Sequence, residues 1–184
     1  MFAQVGKPAP SFTLPSTKGA TGPGDLGEPI SLADYRGKWL VFFFYPLDFT
    51  LVCPTEIRAF SDKYDAFKGL DAEILGCSTD SVYSHWAWLT LPRERNGIEG
   101  TRYPLAADFT KEVARAYGVL DESSGAAQRG LFIVDPNGLL RYAVVADENV
   151  GRSAEETLRV LQALQTGALC PADWKPGAKL LQPA

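Results

Sequence analysis

The chain has 184 residues, 46% of them hydrophobic and 22% charged, with 17 Gly and 13 Pro, the make-up of a globule long enough to bury a sizeable core. Lys and Arg number 18 against 22 Asp and Glu, a formal charge of -4, so the basic footprint of a nucleic-acid or anionic-membrane binder is missing. The longest apolar run, W-L-V-F-F-F-Y at 39–45, is far short of the roughly 20 residues a transmembrane helix needs. The start, M-F-A-Q-V-G-K-P-A-P, has neither the basic nor the apolar part of a signal peptide. The expectation is a cytoplasmic chain, one domain over 1–184, with 168–184 as a tail.

Residues 12–14 alternate and predict an edge strand. Residues 18–29, rich in Gly and Pro, predict a surface loop. Ser31 is placed to cap a turn through 33–35. The run 39–45 shows no polar alternation and predicts a central strand covered on both faces. After Pro46, Ile57, Phe60, Tyr64 and Phe67 recur at helical spacing, predicting one helix over 52–68. Residues 73–77 predict a second buried strand. Residues 78–81 cap a helix over 82–91 that Pro92 stops. A charged loop follows at 93–102, then a short strand at 103–107 and a capped helix at 111–117 that Gly118 ends. Residues 130–134 predict a third buried strand, and D-P-N-G at 135–138 turns it into an antiparallel partner at 140–145. Ser153 caps a last helix over 153–166. Strands alternating with helices, then a hairpin and a helix, describe an α/β fold with a mixed central sheet flanked by helices. A thioredoxin-like fold fits this order; periodicity alone leaves a small flavodoxin-like sheet open, although no glycine-rich phosphate loop follows the first long strand.

Three cysteines without an export signal point to a reducing compartment, where thiols are more often catalytic than structural. No C-x-x-C or H-x-x-x-H spacing offers a metal site, no haem or iron–sulfur pattern is present, and no cofactor is called for. The single histidine, His85, reads as a partly packed residue on a helix surface. Cys53 falls where the strand at 39–45 gives way to a helix, in Y-P-L-D-F-T-L-V-C-P-T-E. Unpaired N–H groups and the positive end of the helix dipole favour an anion there, and the thiolate is the reactive form of cysteine. Ionisation alone gains only about thirty-fold, partly offset by lower nucleophilicity. Donors aimed at developing charge must therefore supply more: Thr50, backbone N–H groups beside Cys53, and an arginine such as Arg129. Taken alone, Arg129 reads first as a solvated strand-end charge. Glu56 closes C-P-T-E, so a local dithiol exchange is excluded. A distant thiol is needed, and Cys170 lies in a tail that predicts a mobile, solvent-reachable segment. Cys77 reads as core.

F-F-F-Y-P-L-D-F-T-L-V-C-P-T-E-I (42–57), C-S-T-D-S-V-Y-S-H-W-A-W (77–88), Y-P-L-A-A-D (103–108), R-G-L-F-I-V-D-P-N-G (129–138), V-G-R-S (150–153) and L-C-P-A-D-W-K-P-G (169–177) together resemble the peroxiredoxins, in particular the typical 2-Cys type that includes the alkyl hydroperoxide reductase C component. The resemblance implies a thioredoxin fold and reduction of hydrogen peroxide and alkyl hydroperoxides. Cys53 matches the peroxidatic cysteine, Pro46 a residue shielding it, Thr50 a donor to the peroxide, and Arg129 the arginine that steadies the thiolate. Glu56 and Arg152 match residues that hold that arginine. Cys170 matches the resolving cysteine, which attacks the partner subunit's sulfenic acid. The resulting disulfide is reduced by thioredoxin or a dedicated reductase. Also implied are a homodimer paired along 140–145 and a decamer of five dimers. The 18–29 stretch is longer than the family pattern. The segment N-G-I-E-G-T-R at 96–102 lacks G-G-L-G, and no Tyr-Phe tail is present; both departures imply resistance to over-oxidation. A peroxide-sensing switch or chaperone-like oligomer is the competing function, and a disulfide oxidoreductase is disfavoured by the missing C-x-x-C.

Overall fold

The computed structural model describes residues 2–182. Its strands are β1 (Thr13–Lys18), β2 (Glu28–Ser31), β3 (Trp39–Phe44), β4 (Ala72–Ser78), β5 (Leu105–Ala107), β6 (Arg129–Val134) and β7 (Leu140–Ala146). They form one mixed sheet in the order β2-β1-β5-β4-β3-β6-β7. The β3/β4 and β4/β5 pairs are parallel, the others antiparallel. The helices are α1 (Cys53–Asp62), α2 (Tyr64–Lys68), α3 (Val82–Leu89), α4 (Glu112–Ala116) and α5 (Ala154–Gln165). This is the thioredoxin-fold architecture the element order predicts.

Alternate residues of a strand face opposite ways, and β3 sets the layers by that rule. Leu40, Phe42 and Phe44 enter a core with Phe12, Tyr35, Tyr117 and Phe132. Val41, Phe43 and Tyr45 enter a second core on the other face, with Ile57, Phe60, Trp88 and Leu161. The uninterrupted apolar run is thus the signature of a strand buried on both sides.

Several local expectations are corrected. The stretch at 12–14 belongs to a strand inside the sheet, because β2 pairs along the outer side of β1. Pro29 lies in β2, the true edge, where a residue without N–H is tolerated. The 18–29 loop begins inside β1 and ends inside β2, so it is a hairpin connection, closed by Thr21 N–H and Oγ1 on Asp25. Gly27 is required there: a Cβ would stand 2.7 Å from the carbonyl oxygens of both Ser16 and Lys18. The helix at 52–68 is two helices broken at Lys63 (φ -100°, ψ 9°). Phe60 and Phe67 are both buried across the break, and a seven-residue spacing keeps apolar periodicity intact whether or not one residue interrupts it.

Caps fall close to where the sequence puts them. Ser81 Oγ accepts from Ser84 N–H, and Ser153 Oγ from Glu156 N–H at 3.1 Å. The Asp108 carboxylate accepts from Val113 and Ala114 N–H. The hairpin at 135–138 closes on Asp135 Oδ1, which accepts from Asn137 and Leu139 N–H at 2.9 Å each. No helix is long and apolar enough to cross a membrane among the described residues.

Candidate active site

Cys53 is the first residue of α1, directly after the loop that leaves β3 through Pro46. Its side chain has no exposed surface. The donor in contact with it is Arg129, whose Nη1 lies 3.4 Å from Sγ. Expected backbone donors are mostly committed: Pro54 has no N–H, and the N–H groups of Thr55 and Glu56 go to the Val52 carbonyl.

Arg129, at the start of β6, is 3% exposed, which settles the solvated-charge alternative against it. Its Nε donates to the Glu148 carbonyl at 2.8 Å and its Nη1 to Glu56 Oε2 at 2.8 Å. Glu56, one turn beyond Cys53, is buried and also accepts from Arg152: Nε and the backbone N–H on Oε1, both at 2.7 Å, and Nη2 on Oε2 at 2.9 Å. Arg152 Nη1 donates to the Gly130 carbonyl, and its guanidinium lies 5.3 Å from the Phe43 ring centre. Burial alone would lower the Arg129 pKa, but its hydrogen bonds and attraction to Cys53 and Glu56 outweigh that and raise it above the usual arginine value. Two guanidiniums against one carboxylate leave an excess positive charge beside the Cys53 sulfur.

The Thr50 hydroxyl donates to the Leu47 carbonyl at 2.9 Å, closing the turn after the buried Pro46 rather than touching Cys53. Cys53, Glu56, Arg129 and Arg152 therefore meet, while Pro46 and Thr50 shape the adjoining turn. Cys170 stands apart. It is half-buried beyond the end of α5, with Sγ 3.4 Å from Thr166 Oγ1 and 3.7 Å from the Ala163 carbonyl, and both it and Cys53 are free thiols. Its segment is folded back rather than free: Trp174 is buried, Arg159 Nη1 donates to the Trp174 carbonyl, and Leu181 N–H bonds the Leu169 carbonyl. Cys77 lies in the core as expected; burial, then the Asp108 charge, pushes its pKa well above the usual thiol value. No group of three or more His, Cys, Asp or Glu side chains with metal-holding geometry occurs among the described residues.

His85 departs from its predicted surface position. It is fully buried, with Nδ1 2.8 Å from Asp48 Oδ2 and Nε2 3.1 Å from the Ala106 carbonyl. Tyr45 OH donates to Asp48 Oδ1 at 2.8 Å. A spacing of three turns His85 and Trp88 to the same inward face of α3, so the helix presents a polar residue to the turn at 46–50. The only signal in the sequence was the proximity of Asp48 to Pro46 and Thr50.

A profile described as the AhpC/TSA family matches residues 5–143. The chain belongs to this family, the peroxiredoxins. A putative peroxiredoxin of Bacillus subtilis, YkuU, is 53% identical over 177 residues, covering 96% of this chain and 97% of its own length. A protein of Echinococcus granulosus named thioredoxin peroxidase is 49% identical, covering 100% of this chain and 95% of its own. Among solved structures, the reduced 2-Cys peroxiredoxin of Plasmodium vivax superposes with a TM-score of 0.91 at 36% identity, covering 98% of this chain and 93% of that one. The chain is accordingly a peroxiredoxin-type enzyme of the 2-Cys class, a thiol peroxidase.

Proposed function

We propose that Cys53 is the thiol that attacks peroxide, with Arg129 as the donor that steadies the reacting charges, Glu56 and Arg152 as the residues that hold Arg129, and Pro46 and Thr50 as the walls of the approach. The observation that carries this reading is the guanidinium of Arg129 at 3.4 Å from the Cys53 sulfur, within a buried group that has one positive charge in excess. In the reaction, the Cys53 thiolate bonds one peroxide oxygen, the O–O bond breaks, and the departing oxygen takes a proton to leave as water or alcohol. The product at the enzyme is a sulfenic acid. The Cys170 thiol then attacks that sulfur, water leaves, and a Cys53–Cys170 disulfide remains, to be returned to two thiols by an external dithiol.

Thioredoxin as that dithiol is supported by the name of the Echinococcus relative; a dedicated reductase would supply the same chemistry. Cys53 is covered and Cys170 lies in contact with other groups, which favours a bridge made with a second chain or after a rearrangement. Strand β7 has no neighbour on its outer side among the described residues and exposes Val144 and Val145. Such an edge invites pairing with a second copy and supports the homodimer; the decamer of five dimers rests on the family resemblance.

Steady-state peroxide consumption with a thioredoxin system tests the assignment. Cys53→Ser should consume none. Cys170→Ser should consume one equivalent per chain and stall unless a small thiol is added. Full steady-state activity of Cys170→Ser with thioredoxin alone would remove the two-cysteine mechanism.

A further inference from the structure

Phe43 stands where packing alone would accept any large apolar side chain. It lies between Val41 and Tyr45 on the face of β3 that meets α1 and α5, and no part of it is exposed. Phe60 stacks on its ring at 4.9 Å, and Tyr103 meets it edge-on at 6.0 Å. Its register partner on β4 is Gly76, where a Cβ would come 2.7 Å from Leu105 Cδ2 and 3.2 Å from Phe43 Cζ. The ring thus fills space that a side chain on β4 would need. One neighbour is not apolar. The guanidinium carbon of Arg152 lies 5.3 Å from the ring centre, inside the roughly 6 Å over which a π face attracts a cation.

The Arg152 guanidinium has spent its hydrogen bonds, which all lie in its plane. Nε and Nη2 go to the two oxygens of Glu56, and Nη1 goes to the Gly130 carbonyl. Only the two faces of the cation remain, and the side chain is 5% exposed, so water reaches little of them. The π cloud of Phe43 stabilises such a face without supplying an acceptor. Acceptors are short here, because one carboxylate, Glu56, serves both Arg152 and Arg129. Leu or Ile at this position would fill the core equally well but would set the cation against hydrocarbon.

Arg129 Nη1 is 2.8 Å from Glu56 Oε2 and 3.4 Å from Cys53 Sγ, so its aim at the sulfur depends on how much of Glu56 is taken by Arg152. We propose that Phe43 is a positioning residue for the reaction at Cys53: its ring face holds the Arg152 guanidinium on Glu56, and Glu56, so occupied, leaves Arg129 Nη1 shared with the sulfur. An Arg152 released from the ring frees Glu56 to take Arg129 with both oxygens, which draws Nη1 away from Sγ. Tyr103, on the same ring, does not compete for the charge. Its hydroxyl donates to the Ile57 carbonyl at 2.8 Å, and burial, then the Glu56 charge, pushes its pKa well above the usual tyrosine value. The inference rests on the assignment of Cys53, Glu56, Arg129 and Arg152 made above.

The test changes the charge on the ring face while nearly keeping its shape. Phe43 is replaced, through a reassigned codon in the full-length chain, by mono-, di- and trifluorinated phenylalanine, whose fluorines withdraw electron density from the face in steps. The readout is the rate of Cys53 oxidation in the reduced protein, by competition for hydrogen peroxide against a reference peroxidase. The rate should fall at each step, by about two- to ten-fold in the trifluorinated form, the span of a partly desolvated cation–π contact. In an Arg152→Gln background, which keeps an amide for Glu56 but removes the cation, the same series should be flat. A packing effect of the fluorines would persist there. A rate that stays or rises with fluorination overturns the proposal, and so does an equal slope with and without the Arg152 cation. Wild-type protein in which peroxide oxidises a thiol other than Cys53 refutes the site assignment instead, a failure recognisable before any variant is made.

Discussion

Glu56, Arg129 and Arg152 are all removed from water, and a buried charge costs several kcal/mol unless it is paired. The pairing here is incomplete without the sulfur: a thiolate at Cys53 brings the group to two charges of each sign. In the mechanism proposed above, the Arg129–Cys53 contact aims N–H at the sulfur as charge moves onto the peroxide. Arginine suits the position because one planar fork bonds Glu148, Glu56 and Cys53 together. A lysine offers a point charge that cannot make all three contacts. Arg129→Lys should therefore slow the oxidation of Cys53 by about 100-fold, the cost of a lost donor of this kind, measured by competition for hydrogen peroxide against a reference peroxidase. A loss under about threefold would show that Arg129 is structural. Cys77 gives the contrast, since a thiol sunk among apolar side chains has its pKa raised and stays unreactive.

At the level of elements, the strand-to-helix junction does the positioning, and it was legible because its signals are local. The apolar run marks β3, Pro46 ends it, and the first turn of α1 places Cys53 and Glu56 on one side of the helix. The groups that meet them were not local. Arg129 is 76 residues from Cys53 along the chain and Arg152 is 96 from Glu56, so the residues alone left Arg129 open and only the family resemblance named Arg152. His85 was missed for the same reason: its contact runs to Asp48, 37 residues away. An element-scale electrostatic tie follows the same pattern. Glu73 of β4 receives Lys38, just before β3, and Lys68 at the end of α2. Partial burial pushes its carboxyl up, but the hydrogen bonds and charges of the two lysines outweigh this and hold it below its ordinary 4.5. A depressed folded-state pKa gives stability that is present above the unfolded value and lost as pH falls through the folded one. Glu73→Gln should accordingly lower Tm at pH 7 by about 1–3 °C, with the gap closing as pH falls below 4.5. A gap that persists at pH 3 would mean the loss is one of packing.

For the whole molecule, the two thiols stand apart although α1 and α5 pack into the same core on one face of the sheet. Cys53 is held under the junction at the centre, while Cys170 follows α5 in a segment folded back through Trp174 and Arg159. The expectation of a loose tail failed because composition reports the absence of regular structure, whereas the contacts of Trp174 with α5 arise only in three dimensions. The proposed Cys53–Cys170 bridge calls for movement of one or both thiols from these sites, and the proposed homodimer would form at the edge of β7, which has no outer neighbour among the described residues. One measurement bears on this account most directly: peptide mapping of the reduced protein after a single molar equivalent of hydrogen peroxide. The account predicts a Cys53–Cys170 disulfide in most chains, joining two chains on a non-reducing gel, with Cys77 still a thiol. Oxidation found at Cys77 or Cys170 while Cys53 remains a thiol would contradict it.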